Sequence, residues 1–295
     1  MQVLASIPSP SSGELEVGPL TLHAYGFMLL LAILAATAVA GILWTRRGGD
    51  WDLVFRTAMW GVAGGIVGAR LYHVVTSWSE VDDPKWRGIF EIWEGGLGIW
   101  GGIAGGVLVG SIVIRRAGES VLRFMDVAAP GLLLAQAVGR VGNYFNQELF
   151  GTPTDLPWGL EISPENRPER YADTETFHPL FLYESLWNLA GVAVLLWILS
   201  RRRLRAPGVF CLYVAWYTFG RFWLEQIRTD EAHELLGLRL NAWVSLALFV
   251  AALAALVWSQ RRPDRPERGE RRPSRPAPTP ARKMAVPKGR VRPRR

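Results

Sequence analysis

Residues 20–44 read LTLHAYGFMLLLAILAATAVAGILW, with no Lys, Arg, Asp or Glu, and the pair Arg46-Arg47 follows after Thr45. At about 1.5 Å per residue, a helix of this length crosses the roughly 30 Å apolar core of a bilayer. Six more apolar blocks follow, at 53–76, 97–114, 121–142, 179–200, 208–227 and 240–259. A water-soluble fold would have to bury seven helices of near-spanning length in one chain. The expected fold class is therefore all-α, a polytopic membrane protein of seven transmembrane helices. Tryptophan supports this: there are 14, and Trp44, Trp51, Trp60, Trp78, Trp86 and Trp93 lie at or near block ends, where amphipathic rings anchor at the membrane–water interface.

The connections between blocks alternate in charge. One set carries Arg46-Arg47, Arg115-Arg116, Arg201-Arg202-Arg203 with Arg205, and the arginine-rich C-terminus. The other set, 1–19, 77–96, 143–178 and 228–239, is mixed or acidic. The positive-inside rule puts the first set in the cytoplasm, so the N-terminus is expected outside and the C-terminus inside. Residues 1–19 form an extracytoplasmic segment with no positive n-region of a secretory signal. Residues 20–259 form the membrane domain, and the long connection 143–178, with Pro153, Pro157, Pro164 and Pro168, forms a small outer cap.

The net charge of +7 belongs to the tail. Residues 260–295 hold 14 Lys and Arg against 3 Asp and Glu, and the rest of the chain holds 19 against 23. Rich in Pro and Arg and poor in large apolar residues, this tail is expected to be disordered and cytoplasmic, without a catalytic role. No nucleic-acid partner is assigned to it. The single cysteine, Cys211, lies inside an apolar block and reads as a small core residue.

Glycines recur four apart, as Gly61/Gly65 and Gly64/Gly68 in the second block and as Gly98, Gly102, Gly106 and Gly110 in the third. In lipid such stripes let helix backbones approach closely. A phosphate-cradling loop is the poorer reading, because the glycines continue through a span.

Ionisable groups inside a membrane are costly and mark functional sites by default. With the orientation above, Tyr25, Arg70, His73, Arg140, His178, Glu184, Arg221 and Glu225 all fall in the outer half of the bilayer, from five different helices. Asp126 lies nearer the cytoplasm and reads as a structural cap or pair. Three readings fit the outer cluster. Spare guanidinium forks match phosphate oxygens, so a lipid-phosphate site is one. A structural ion-pair network and a pathway for an anionic solute are the others.

The stretch Gly139–Gly151, GRVGNYFNQELFG, resembles the signature of the prolipoprotein diacylglyceryl transferase family. AYG at 24–26, GARLYHV at 68–74, WEGGLGIWGG at 93–102, HPLFLYE at 178–184 and GRFWLEQIR at 220–228 resemble further family segments in the same order. The resemblance runs from about residue 20 to 259.

It implies a bacterial plasma-membrane enzyme that moves the diacylglyceryl group of phosphatidylglycerol to the lipobox cysteine of a prolipoprotein signal peptide. A thioether forms and glycerol phosphate leaves. Arg140 and Arg221 match the arginines regarded as essential in the family. Asn143, Glu148 and Gly151 match its signature, and Tyr25, His178 and Glu225 match further positions thought to line the site. Arg140 and Arg221 are expected to clamp the phosphate, Asn143 to orient the head group or the loop, and Glu225 to orient Arg221; Arg70 and Gly151 complete the substrate-binding set. Glu148, Tyr25 and His178 are the candidates for taking the thiol proton. One position departs from the family pattern: many members carry a histidine before the paired glycines of the third span, where this chain has Trp100, and indole accepts no proton at neutral pH. The four histidines lack metal-ligand spacing, and neither a metal nor another cofactor is expected.

Overall fold

A computed structural model describes residues 6–10, 12–17, 20–201, 204–230 and 234–261. The expectation of a disordered tail falls on residues outside this set. Among the described residues eight α-helices occur: α1 (Ala24–Thr45), α2 (Trp51–Thr76), the single turn α3 (Lys85–Gly88), α4 (Ile99–Arg116), α5 (Val121–Phe145), α6 (Leu180–Arg201), α7 (Gly208–Glu225) and α8 (Leu240–Arg261). The seven long ones coincide with the seven apolar blocks.

Five of them, α1, α4, α5, α6 and α8, are long and apolar enough to cross a membrane. α2 and α7 fall short of that measure. Asp52, Arg56, Arg70 and His73 dilute the apolar character of α2, as Arg221 and Glu225 do in the 18-residue α7. The fold is mainly helical rather than purely so. Short antiparallel pairs join β1 (Glu14–Val17) to β2 (Leu20–His23), β3 (Leu160–Glu161) to β4 (Thr176–Phe177), and β5 (Glu234–Leu235) to β6 (Leu238–Arg239). The expected helix start at residue 20 is corrected to Ala24. Residues 20–23 are a strand, and the Ala24 amide donates to the Gly13 carbonyl at 2.7 Å as the chain turns into α1.

Beside an apolar core, the helices carry an apolar exterior and enclose polar groups. Phe27, Leu34, Val67, Leu108 and Trp258 are each more than half exposed, while Arg70, Asp126, Asn143, Glu184, Asn188, Thr218 and Glu225 are buried. An apolar exterior with the polar groups turned inward suits a lipid solvent, because unpaired polar groups facing hydrocarbon are costly.

The principal helix pairs are α2 with α4, α1 with α5, α5 with α6 and α7 with α8. Glycine sets the first. A Cβ on Gly68 would lie 2.3 Å from the Gly101 carbonyl oxygen, and one on Gly105 would lie 2.3 Å from that of Gly64. The seam thus runs through Gly64, Gly68, Gly101 and Gly105, one position away from the Gly98–Gly110 stripe expected on α4. Gly102 and Gly110 make only ordinary contacts.

α6 and α7 are joined by a reciprocal tryptophan pair. Trp187 Nε1 donates to the Trp216 carbonyl at 3.1 Å, and Trp216 Nε1 donates to the Trp187 carbonyl at 3.0 Å. Their rings stack with centroids 4.5 Å apart. Gly191 and Gly220 leave room for those indoles, since a Cβ at either would meet a Trp Nε1 at 2.5 Å or less. Asp126 on α5 accepts from the Phe210 amide at 2.8 Å, capping the first turn of α7 from a neighbouring helix, as its depth in the sequence implied.

The 146–179 connection has its own core of buried Phe150, Leu160, Ile162 and Phe177. Residues 6–10 join it. The Ile7 amide donates to the Gly159 carbonyl, the Glu161 amide donates to the Ile7 carbonyl, and Gln147 Nε2 donates to the Pro10 carbonyl.

Candidate active site

The site is assembled where α5 and α7 end and α6 begins. α5 carries Arg140 and Asn143 at i,i+3, one above the other on a helix face. Arg140 Nη1 donates to Asn143 Oδ1 at 3.3 Å, and Asn143 Nδ2 donates to Glu148 Oε1 at 2.7 Å. Glu148 reaches that position through a sharp reversal after the helix, in which Gln147 and Leu149 take positive φ of 50° and 57°. Such backbone is strained for non-glycine residues and persists only where the surroundings hold it. Here Gln147 is buried and tied at both ends of its amide, donating to Pro10 and accepting from the Ser163 amide at 2.8 Å. The signature motif therefore folds into a relay of side chains running from Arg140 to Glu148.

Glu184, at the start of the second turn of α6, is the hub. Its side chain is only 5% exposed. Oε2 pairs with Arg140 Nε, and Oε1 with Arg221 Nη1 at 3.1 Å. Arg221 then reaches along α7 to Glu225 at 2.7 Å, the i,i+4 pair expected from the sequence. Glu225 is fully buried and also pairs with Arg239 Nε at 3.0 Å. Asp230 links Arg239 (2.9 Å) and Arg228 (2.7 Å). The described chain of ion pairs from Arg140 to Asp230 thus holds four arginines and three carboxylates, with one cation in excess. Glu148 is attached to it through Asn143. Around Asp230, burial acts against ionisation, but the hydrogen bond and charge of Arg228, with Arg239 adding, hold its carboxyl below the usual range. For Arg228 burial again opposes the charge, and Asp230 and Glu225 outweigh it, so the guanidinium holds its proton more firmly than usual.

The remaining expected residues sit in different settings. The Gly151 amide donates to the His178 carbonyl at 2.9 Å, and Gly151 bridges to Arg228. A Cβ there would fall 2.7 Å from His178 Cβ and 3.0 Å from the Ile227 carbonyl oxygen, so only glycine lets these three segments meet. His178 Nδ1 lies 3.2 Å from the Tyr183 hydroxyl, which accepts from Trp158 Nε1 at 3.0 Å. Burial lowers the His178 pKa from 6.5, leaving a neutral imidazole at pH 7. Tyr25 packs its ring against Gly142, where a Cβ would lie 2.8 Å away, and its side chain is partly exposed. Arg70 is buried against backbone. Its guanidinium donates to the carbonyls of Ile89 (3.0 Å), Gly95 (2.8 Å), Gly96 (3.1 Å) and Gly88, fixing the segment before α4. Trp100 stands on the first turn of α4, 54% exposed.

The sequence placed Glu184 among the ionisable groups of the outer half but not among the site residues. Arg228 ends the GRFWLEQIR segment, which is the sequence signal for it, whereas no motif points to Arg239. Of the expected set, the structure brings together Arg140, Asn143, Glu148, Arg221 and Glu225. Gly151 and His178 adjoin each other beside Arg228, and Tyr25 adjoins α5 at Gly142.

Comparison with known proteins agrees with this pattern. The family model described as prolipoprotein diacylglyceryl transferase matches residues 13–258. The chain is similar to phosphatidylglycerol–prolipoprotein diacylglyceryl transferase 2 of Streptomyces coelicolor, 49% identical over 263 residues covering 88% of this chain and 82% of that protein. The phosphatidylglycerol–prolipoprotein diacylglyceryl transferase of Cutibacterium acnes is 47% identical, covering 87% and 88% of the two chains. That of Bifidobacterium adolescentis is 43% identical, covering 88% and 81%. With the signature residues gathered around one buried carboxylate and the match running almost from end to end of the described helices, the chain belongs to the prolipoprotein diacylglyceryl transferase family.

Proposed function

We propose that this protein transfers the diacylglyceryl group of phosphatidylglycerol to the lipobox cysteine thiol of a prolipoprotein signal peptide. The cysteine sulfur bonds to the glyceryl carbon, the carbon–oxygen bond to phosphate breaks, and glycerol phosphate leaves with the electron pair. The observation that carries this reading is the Arg140–Glu184–Arg221 arrangement, in which one buried carboxylate holds two guanidinium groups side by side. A phosphate diester offers the same two-oxygen acceptor as that carboxylate. It can therefore take over the guanidinium hydrogen bonds, and its charge grows as the carbon–oxygen bond breaks, when fixed cations stabilise it most.

A cysteine thiol with a pKa near 8.5 must lose its proton to attack, and the neighbouring guanidinium groups of Arg140 and Arg221 favour the thiolate. Glu148, Tyr25 and His178 are the groups proposed to receive that proton. His178 is neutral at pH 7 and so retains an acceptor nitrogen, and Glu148 is linked to the clamp through Asn143. Glu225 holds Arg221 in place, and Gly151 brings His178 toward the end of α7. In this reading Arg70 acts at one remove, by fixing the segment that precedes α4.

The same reading places the protein in the bacterial plasma membrane with all seven long helices spanning it. The N-terminus and the 143–178 cap lie outside and the C-terminus lies in the cytoplasm, following the arginine asymmetry of the connections. α2 and α7 are admitted as spans because Arg70 is engaged by carbonyls and Arg221 and Glu225 by ion pairs, while Asp52 and Arg56 pair with each other at the exposed start of α2. Nothing favours the alternative of an anion pathway, since Asp126, the ionisable group set deeper, is engaged in capping α7.

The test combines purified full-length protein, phosphatidylglycerol micelles and a synthetic lipobox peptide, followed by mass spectrometry. The expected result is a diacylglyceryl mass gain on the cysteine that Arg140→Ala or Arg221→Ala abolishes. No gain from folded protein overturns the proposal.

A further inference from the structure

One helical turn from Glu184 along α6 lies Asn188, 1% exposed, whose side-chain Nδ2 has no hydrogen-bond partner among the described residues. A buried amide donor left without a partner is unusual and destabilising, so its retention calls for a reason. Asn188 lines a small cavity together with Glu184, Trp187, Tyr217, Arg221 and Leu224. The cavity measures about 10 Å³, at the bottom of what a single water needs. Glu184 and Asn188 are i,i+4 neighbours, on the same face of α6 and within reach of each other.

Glu184 is satisfied while Arg140 and Arg221 face it. If the two guanidinium groups turn to an anionic phosphate, the carboxylate is left in a buried, nearly dry place with its hydrogen bonds removed. We propose that Asn188 is a positioning residue that acts at this moment, its idle amide N–H supplying Glu184 with the hydrogen bond that the arginines withdraw. The donor is unemployed in the unliganded protein because its acceptor becomes available only when lipid phosphate is bound. This inference rests on the reading of Arg140 and Arg221 as the phosphate clamp and adds the residue that lets the clamp let go of its resident carboxylate.

The proposal separates activity from stability. Asn188→Leu removes an orphaned polar group from a buried site, so the melting temperature is expected to stay level or rise. The hydrogen bond to a charged group is lost only in the lipid-bound state, so kcat/KM for phosphatidylglycerol is expected to fall about tenfold to a hundredfold. Asn188→Ser is smaller, keeps a donor, and is expected to recover several-fold over Asn188→Leu. Full-length variants are assayed in phosphatidylglycerol micelles with the lipobox peptide, beside Arg140→Lys. If both Asn188 variants stay within twofold of the parent while Arg140→Lys is crippled, the role of Asn188 is refuted and the clamp stands. If Arg140→Lys is itself undiminished, the clamp has failed. A melting temperature that drops by several degrees in step with activity shows a merely structural Asn188 and also overturns the proposal.

Discussion

Replacing Glu184 by glutamine tests the clamp where it is most exposed to refutation. The change removes the carboxylate shared by Arg140 and Arg221 and keeps its shape. Arg221 retains Glu225 at 2.7 Å, but Arg140 has no other carboxylate among its described partners, only the Asn143 amide oxygen at 3.3 Å. Breaking a buried ion pair from one side costs about 3–5 kcal/mol, because the remaining charge stays desolvated. For a chain of this size each kcal/mol moves the melting temperature by roughly 2–4 °C, so the variant is expected to melt about 10 °C lower in a neutral detergent. If the two arginines are built to receive a lipid phosphate, phosphatidylglycerol replaces the missing counter-ion. It binds the folded variant without having to displace a carboxylate, and binding to the folded state alone raises stability by mass action. The assay is a thermal-unfolding series in micelles with rising phosphatidylglycerol, against phosphatidylcholine as control. The lipid-induced rise in melting temperature should be larger in Glu184→Gln than in the parent, closing most of the gap. Equal rises in the two proteins, or an equal effect of phosphatidylcholine, would refute the reasoning.

Arg140→Lys keeps the charge and loses the fork, so kcat is expected to fall about 10²–10³-fold, the cost of one oriented donor at a developing anion; near-parent turnover in the peptide assay contradicts the bidentate clamp. Burial lowers the His178 pKa from 6.5, so a His178 base stays competent at pH 7 and is lost only as pH falls through that lowered value. The pH–rate profile should then carry an acidic limb below pH 6.5 that His178→Gln removes along with most of the activity, and full activity in that variant removes His178 from the mechanism. Gly68→Leu drives a side chain into the Gly101 carbonyl and should separate α2 from α4, seen as a melting temperature at least several degrees lower or failure to accumulate in the membrane.

Much of this architecture could be read before any coordinates. Apolar runs located all seven long helices, and five of these are long and apolar enough to cross a membrane, a length set by bilayer thickness rather than by packing. The motif gave Arg140, Asn143 and Glu148, whose mutual contacts are local in sequence. What escaped was long-range. Glu184 joins helices through partners 44 and 37 residues away, at Arg140 and Arg221, and no local pattern names it as the hub rather than a helix-start acid. Arg239 reaches Glu225 only after the chain turns through β5 and β6. The glycine seam was placed one residue off on α4, because spacing fixes a period but not which row faces α2. Arg70 could be recognised as buried and charged, but its carbonyl partners depend on how residues 88–96 fold over α2, which its own helix does not encode.

The mutual clasp of Trp187 and Trp216 limits how a two-tailed lipid can travel. Each indole is bolted to the other helix's backbone, so α6 and α7 cannot slide or part without breaking two hydrogen bonds and a stacked pair together. The glycine seam closes α2 onto α4 as well, backbone against backbone at Gly68 with Gly101 and at Gly64 with Gly105. The α2–α4 pair meets the α1–α5 pair only sparsely, whereas α5 and α6 are themselves a principal pair, so the joint on the α2–α4 side is the one with room to open for a two-tailed lipid.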